Sequence, residues 1–216
     1  MLSARVNARP SYARAVLPIH IDDQLIVLDK PAGLLAVPGR TEPDCLAARA
    51  QAHWPDALVV HRLDQPTSGL WVMARGATAQ RQLSDAFAAR RVDKTYTAVV
   101  QGLMAADAGE IDLPLAADWP NRPRQQVDTT GGKPALTRWQ VLSRDAASCS
   151  TRLALTPVTG RTHQLRVHLQ AIGHPIVGDV LYGAAPAARL MLHASALALP
   201  HPHDGALLRL ESTAPF

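Results

Sequence analysis

The sequence LVVHRLDQPTSGLWVMA, residues 58–74, sets two short apolar runs on either side of a polar loop. Apolar runs of this length, bounded by turn residues, predict buried strands at both ends of the stretch. The loop, residues 61–69, carries Arg62, Asp64 and Thr67. A carboxylate held beside two buried strands is either an Asp that stabilises a turn by hydrogen bonds to its own backbone or a functional group next to an apolar surface. The polar residues around Asp64 favour the functional interpretation.

The rest of the chain mixes strands and helices without a regular strand–helix repeat. Apolar runs and period-2 alternation predict strands at 24–28, 58–60, 70–74, 96–100, 135–142, 150–156, 191–199 and 206–211. Helical spacing of apolar residues predicts helices at 43–53, 77–91 and 162–172, the last with Thr162 as a candidate cap. The Pro and Gly residues of 118–132 argue against a regular element there. This mixture predicts one α+β domain on a mixed, largely antiparallel sheet.

Composition excludes several classes of protein. The chain has 216 residues, of which 47% are hydrophobic and 19% charged, so it can bury a substantial core. No apolar run approaches the ~18 residues of a membrane span, and we expect no membrane partner. The two cysteines, Cys45 and Cys149, are too few for a disulfide scaffold or a multi-cysteine zinc module.

Catalytic motifs of other enzyme classes are missing from the sequence. It contains neither a phosphate-binding glycine loop nor the glycine elbow of a serine hydrolase, so we expect no nucleotide cofactor. The nine histidines lack the short spacers of a zinc site, and we expect no metal. His163 and His168, five residues apart, do not share one face of a helix.

Positive charge is concentrated in arginine. The chain has 19 arginines and three lysines against 18 acidic residues, for a net charge of +4. Arginine offers a planar fork for phosphate and a flat face for bases. Basic residues cluster at 75–94, 122–138 and 161–174. If these segments surround one cleft, they form an electrostatic footprint for nucleic acid, with binding that weakens steeply as salt rises.

Two further segments carry candidate chemistry. The sequence TGRTHQLRVH, residues 159–168, brings Arg161 and Arg166 to the start of a predicted helix, a place that suits phosphate. Tyr96 lies on a predicted strand. It is either a tyrosine at a sheet surface or a platform and phenol for a reacting base, and the sequence leaves both open.

Taken together, the motifs resemble those of the RluA-type pseudouridine synthases. HRLDQPTSG at 61–69 resembles the signature loop of that family. Other motifs follow in the order of the family: DKPAG at 29–33, KTY at 94–96, GRTHQLRVH at 160–168, GHPIVGD at 173–179 and LHA at 192–194. VPGR at 37–40 and DWPNRP at 118–123 resemble the short, single-domain members that modify both large-subunit ribosomal RNA and transfer RNA.

The resemblance implies a pseudouridine synthase core, a mixed, largely antiparallel sheet in two halves with helices and a central catalytic cleft. It implies that Asp64 is the catalytic aspartate, that Tyr96 stacks on the target uracil and that Arg166 pairs with Asp64. Arg62 would fill the space left by the extruded base. Further RNA contacts are expected from Thr67, Arg40, Arg122, Arg124, Arg161, His163 and Leu165. The reaction is an isomerisation, so we expect no cofactor.

We expect a basic N-terminal extension at 1–16 and a single catalytic domain at 17–216, with no S4-type RNA-binding module ahead of it. The expected partner is RNA, in stem-loops of large-subunit ribosomal RNA or transfer RNA, and the expected enzyme is a cytoplasmic monomer. Two alternatives stay open. One is an RNA-binding or chaperone module on the same fold. The other is a glycoside or nucleoside hydrolase, which needs a second carboxylate near Asp64, with Asp29 and Asp179 as candidates.

Overall fold

A computed structural model describes Val16 and residues 18–216, so the extension expected at 1–16 lies outside the described residues apart from Val16. The described residues form twelve strands, three α-helices and a 3-10 turn at Val180–Tyr182. The strands are β1 (Pro18–Ile21), β2 (Leu25–Lys30), β3 (Ala57–Val59), β4 (Ser68–Arg75), β5 (Asp93–Gln101), β6 (Ala108–Asp112), β7 (Leu115–Ala117), β8 (Gln125–Val127), β9 (Leu136–Asp145), β10 (Ser150–Pro157), β11 (Leu192–Pro200) and β12 (Leu207–Glu211). The helices are α1 (Leu46–His53), α2 (Gly76–Ala88) and α3 (Gln164–Ala171).

Ten strands form one sheet in the order β1-β2-β4-β11-β5-β10-β9-β6, with β3 added to β4 and β12 to β11. The pairing of β4 with β11 is parallel, and the other pairings of this sheet within the described residues are antiparallel. Strands β7 and β8 form a separate two-stranded sheet. The predicted α+β class with a mixed, largely antiparallel sheet is confirmed. No helix of the described residues is long and apolar enough to cross a membrane.

Strand β4 lies in the middle of the core, and both of its faces are covered. Trp71 packs in the cluster that contains residues of α1, and Val72 packs in the cluster that contains residues of α2. Neighbouring strand residues point to opposite faces, so a strand buried on both sides needs a continuous apolar run. At the start of β4, Gly69 has φ +110°, and a Cβ there would lie 2.3 Å from the carbonyl oxygen of Ala194. Glycine therefore permits the parallel pairing with β11 that fixes one end of the 61–69 loop.

Helix α3 covers the other half of the sheet. Its Leu165 and Leu169 pack in one buried cluster with Leu153 and Leu155 of β10 and with residues of β5. Strand β11 lies between β4 and β5 in the sheet, and the loop that enters β4 and the N-terminus of α3 line one cavity. The two motifs that the sequence singled out are therefore brought together by strand order.

Several predicted boundaries are wrong. Helix α2 ends at Ala88, because Arg90 has the positive φ of 56° and turns the chain out of the helix. Helix α3 starts at Gln164, and its N-cap is His163 in a left-handed conformation instead of Thr162. The side chain of Gln164 accepts a hydrogen bond from the N–H of Arg161 and closes the turn in front of the helix. The stretch 118–132 was expected to be irregular. It contains strand β8, which forms by antiparallel pairing with β7.

Candidate active site

A cavity of about 530 Å³ opens between the 61–67 loop, strand β5 and the N-terminus of α3. Eight of the residues singled out from the sequence line it: Arg62, Asp64, Thr67, Tyr96, Arg161, His163, Leu165 and Arg166. Arg40, Arg122 and Arg124 are not among the lining residues. A space of this size is typical of small-molecule sites, so it can accept a single base with its sugar.

The cavity wall is strongly positive. Asp64 is the one carboxylate among its described lining residues, and five cations share the wall with it: Arg62, Arg90, Lys94, Arg161 and Arg166. Four of them come from two of the three basic segments found in the sequence, and Arg62 comes from the 61–69 loop itself. The third, 122–138, does not reach the lining. A concave, cationic wall around one anionic group suits a polyanionic ligand that must bring one reacting atom to that group.

A buried lysine anchors the loop that carries Asp64. Lys30 is fully buried at the end of β2, and its ammonium donates three hydrogen bonds of 2.6 to 2.9 Å to backbone carbonyls, those of Pro31, Leu34 and Gln65. Burial lowers the pKa of Lys30 to about 8, although the charge of Asp64 acts in the opposite direction. Because the carbonyl of Gln65 adjoins Asp64, Lys30 fixes the backbone next to the carboxylate.

His61 anchors the other end of the same loop. Its Nε2 accepts a hydrogen bond of 3.1 Å from the N–H of Val72, and its ring stacks on Phe87 at 4.6 Å. Burial, with the nearby charge of Lys94, lowers the pKa of His61 to about 3. The imidazole is therefore neutral at physiological pH, and since Nε2 accepts, its proton lies on Nδ1. His61 acts as a fixed part of the cavity wall and adds no charge to it.

The expected ion pair between Arg166 and Asp64 is present, and Arg166 has a second, closer carboxylate partner in Asp179. Nε and Nη2 of Arg166 donate to the two carboxylate oxygens of Asp179 at 2.7 Å each, and only Nη1 faces Asp64, 3.5 Å from Oδ2. The Arg166 and Asp179 side chains are 5% and 1% exposed. A planar guanidinium satisfies one carboxylate in a bidentate way and keeps a third nitrogen free, so Arg166 bridges the two aspartates.

His163 lies on the other side of Asp64. Its Nε2 is 3.8 Å from Oδ2 of Asp64, and its Nδ1 is 2.7 Å from the hydroxyl of Tyr182. That hydroxyl also accepts a hydrogen bond of 2.9 Å from the N–H of Gln125, so its own proton is available to Nδ1. This arrangement leaves the imidazole proton on Nε2, where it faces the carboxylate. Burial lowers the pKa of His163, which keeps the ring neutral.

Tyr96 lines the cavity from strand β5. Burial, and then the negative charge of Asp64, raise the pKa of its phenol well above the ordinary value. The phenol therefore stays protonated at neutral pH and can donate a hydrogen bond into the cavity. The period-2 pattern placed Tyr96, Ala98 and Val100 on one face, and the structure confirms that they share a buried cluster.

Three of the candidate RNA-contacting arginines, Arg62, Arg40 and Arg124, have side chains that form no hydrogen bond or ion pair within the described residues. Arg62 is exposed at the cavity, and Arg40 is exposed elsewhere. Arg124 is half-buried, its Nε has no partner, and its guanidinium lies 5.7 Å from the ring centroid of Tyr182. Unpaired guanidinium groups at or near a cationic cavity are available for phosphate oxygens.

No carboxylate besides Asp64 is found among the described residues that line the cavity. Asp179 forms an ion pair with Arg166, and its side chain is 1% exposed. Asp29 is exposed, accepts a hydrogen bond from Ser212 and does not line the cavity. A pair of carboxylates flanking a glycosidic bond is thus missing among the described residues, which removes the geometric basis of the hydrolase alternative. The described residues also contain no group of three or more His, Cys, Asp or Glu side chains arranged to hold a metal ion.

Sequence reasoning missed three residues that build the site: Lys30, His61 and Tyr182. Each occurs in or beside a quoted motif, DKPAG, HRLDQPTSG or the segment after GHPIVGD, but no residue-level signal gives its partner. Each of them contacts a residue that lies 11 to 35 positions away in the sequence. Only the assembled sheet brings such positions together.

Comparison with known proteins finds relatives of most of the chain. The sequence profile of the family described as RNA pseudouridylate synthase matches residues 24–171. The dual-specificity RNA pseudouridine synthase RluA of Yersinia pestis is 47% identical over 207 residues, 93% of this chain and 100% of the relative. The protein of the same name from Escherichia coli K12 is 44% identical over 216 residues, 97% of this chain and 98% of the relative. The solved structure of human RNA pseudouridylate synthase domain containing 1 has 27% identity and a TM-score of 0.82, covering 97% of this chain and 87% of that one.

Proposed function

The chain belongs to the RNA pseudouridylate synthase family, and we propose that it isomerises uridines in stem-loops of both large-subunit ribosomal RNA and transfer RNA, with Asp64 as the catalytic carboxylate. The predicted fold class and family are confirmed by the same comparisons. The observation that carries the role of Asp64 is its position as the one carboxylate in a cationic cavity. The dual specificity is taken from the names of the Yersinia and Escherichia relatives.

The chemistry requires no atom from outside the substrate except the exchange of one proton. The bond between N1 of uracil and C1′ breaks, the base turns, and C5 bonds to C1′. The hydrogen of C5 leaves as a proton, and N1 acquires one. A carboxylate can act as a nucleophile or base while the base is detached, and both roles are open to Asp64. Arg166, held by Asp179, places positive charge 3.5 Å from the Asp64 carboxyl group.

The target uridine must leave its stack to enter the cavity. Extruding a base costs a few kcal/mol and least in a loop, which favours stem-loop substrates. Arg62 is exposed and unpaired at the cavity, so its planar guanidinium can occupy the vacated position in the stack. Tyr96 offers an aromatic face for the extruded uracil. Thr67, Arg161, His163 and Leu165 complete the pocket around the nucleotide.

We assign backbone contacts along the RNA to Arg40, Arg122 and Arg124, which lie outside the cavity lining. Their guanidinium groups have no carboxylate partner among the described residues, so phosphate oxygens can bind without displacing one. Ribosomal and transfer RNA are cytoplasmic substrates in bacteria, so we also propose that the enzyme is cytoplasmic. We also propose that a monomer is active, since a single domain suffices to bind a short stem-loop.

The test is tritium release from ribosomal and transfer RNA transcripts that carry 5-tritiated uridine. Release reports the isomerisation because the C5 hydrogen leaves as the new bond forms. We expect release by the wild type and by Asp23→Asn, an exposed carboxylate used as the matched control, and none by Asp64→Asn. Turnover by Asp64→Asn would overturn the assigned role. Salt-sensitive binding without release would favour the RNA-binding module, and free uracil would favour a hydrolase.

A further inference from the structure

Trp119 is an aromatic side chain that the fold leaves in solvent. It is 65% exposed, more than any other large hydrophobic residue among those described. It belongs to the turn between β7 and β8, residues 118–124, here called the 118–124 turn. The guanidinium of Arg122 lies 4.0 Å from the centroid of its ring. Arginine on an indole face is a favourable cation–π contact, and it holds the ring in one orientation.

The turn is ordered without any contribution from the burial of Trp119. The side-chain amide of Asn121 donates to both carboxylate oxygens of Asp118 at 3.0 Å. The N–H of Asp118 donates to the carbonyl of Arg124 at 3.0 Å, which closes the turn. A rigid turn that presents an indole to water, with no core to explain it, resembles a preorganised contact more than a packing residue.

The 118–124 turn is attached to the wall of the cavity. The N–H of Gln125, directly after the turn, donates to the hydroxyl of Tyr182, and that hydroxyl is hydrogen-bonded to His163, a cavity residue. The guanidinium of Arg124 lies over the ring of the same Tyr182. A nucleic acid strand with one nucleotide in the cavity therefore has other nucleotides within reach of the turn.

We propose that Trp119 stacks on a second unpaired base of the same RNA loop, outside the cavity, with Arg122 as the cation behind the indole. The occupant is a nucleobase because the exposed group is a single flat indole, backed by the guanidinium of Arg122 and followed in the chain by Arg124, which has no carboxylate partner among the described residues. A protein partner would need a broader apolar patch. The inference rests on the proposed function and adds a site that recognises loop structure: a stem-loop must present two unstacked bases, one to Asp64 and one to Trp119.

The first test compares Trp119→Ala with Trp119→Phe, using a transfer RNA anticodon stem-loop as the probe. Loss of one base stack corresponds to a Kd about tenfold higher or more, so we expect this change for Trp119→Ala. Trp119→Phe keeps an aromatic face and should stay within about threefold of the wild type. Leu142→Ala, 53% exposed on β9, serves as the surface control and should bind like the wild type. Melting temperatures establish that each variant folds.

A double-mutant cycle identifies the base. Each loop nucleotide is replaced in turn by an abasic one, and binding is measured with the wild type and with Trp119→Ala. At the stacked position the abasic change should weaken binding by the wild type and have no further effect on Trp119→Ala. The proposal would be overturned if the abasic change weakened binding by the same factor in the wild type and in Trp119→Ala at every loop position. It would also be overturned if Trp119→Ala bound the RNA with the Kd of the wild type.

Failure of this inference is distinguishable from failure of the proposed function. If the wild type releases tritium and Trp119→Ala has the same KM and kcat, the enzyme stands and the second base site is wrong. If the wild type releases none, the proposed function fails whatever Trp119 does. For the stacked site we expect a raised KM with kcat at saturating RNA retained within about threefold, because Trp119 lies outside the cavity lining.

Discussion

Arg166 holds the carboxylate of Asp179 with two hydrogen bonds of 2.7 Å, in a pair that is almost fully buried. The third nitrogen of the same guanidinium faces Asp64 at 3.5 Å. Asp179 thus fixes the orientation of the cation that faces Asp64. It acts as a positioning residue, since it does not line the cavity itself.

Asp179→Asn should impair both stability and turnover. The change removes one charge of a buried pair and leaves Arg166 with Asp64, 3.5 Å away, as its remaining carboxylate, which costs on the order of 3 kcal/mol of unfolding free energy. Urea unfolding measures the stability, and single-turnover tritium release measures the rate. Glu110→Gln is the control, because the Glu110–Arg138 pair is more than half exposed and contributes on the order of 0–1 kcal/mol. Equal unfolding midpoints for Asp179→Asn and wild type would contradict the role given to the pair.

Lys30→Met should weaken the loop that carries Asp64. Methionine fills a similar volume but removes the ammonium donor from the carbonyl oxygens of Pro31, Leu34 and Gln65, and the Gln65 oxygen keeps the N–H of Gly33 as a donor. A carbonyl left unsatisfied away from water costs on the order of 1–3 kcal/mol. We expect a protein that melts at lower temperature and, where it folds, a reduced kcat because the backbone next to Asp64 is held by fewer bonds. Calorimetry and tritium release check the two effects. The exposed Lys133→Met provides the control, and a Lys30→Met protein of wild-type stability would show that the three bonds contribute little.

Much of the fold was predictable because its signals are local. The continuous apolar run of β4 and the alternation in β5 depend on neighbouring residues only, and both strands are where the patterns predict them. Helix ends were less predictable. His163 replaces Thr162 as the cap because its left-handed conformation and the Arg161–Gln164 contact are set by the packed loop.

The site was predictable in its members and not in its pairings. Asp64, Tyr96 and Arg166 were named from the sequence motifs and the family they resemble, and the structure places them in one cavity. The sequence could not show that Asp179 is the principal partner of Arg166, because a carboxylate 13 positions away looks no different from any other. Strand β8 was missed for the same reason. It is a strand because it pairs with β7, and its own sequence does not show that pairing.

His61 should make stability depend on pH below neutrality. Its pKa in the folded chain is about 3, whereas an unfolded histidine has a pKa near 6.5, so between these values the unfolded chain binds the extra proton. Stability is therefore lost as pH falls from 6.5 towards 3, at up to about 1.4 kcal/mol per pH unit for one such group. His61→Gln retains an acceptor for the N–H of Val72 and does not titrate. Urea unfolding between pH 7 and 4.5 should show a shallower slope for His61→Gln, and parallel slopes would contradict the prediction.

Tyr96→Phe should separate stacking from proton donation. Phenylalanine keeps the ring against the extruded uracil, so the Kd for stem-loop RNA should stay within about twofold of the wild type. The lost phenol removes the protonated donor beside Asp64, and we expect kcat to fall about tenfold or more. Tyr96→Leu, which loses the ring as well, should also bind about tenfold more weakly. Filter binding and single-turnover tritium release give the two quantities independently. Because burial and Asp64 raise the pKa of the phenol, the wild-type rate should show no loss from its ionisation up to about pH 10. Wild-type turnover by Tyr96→Phe would reduce Tyr96 to a stacking wall, whereas equally weak binding by both variants would place the hydroxyl in RNA affinity instead of the chemical step.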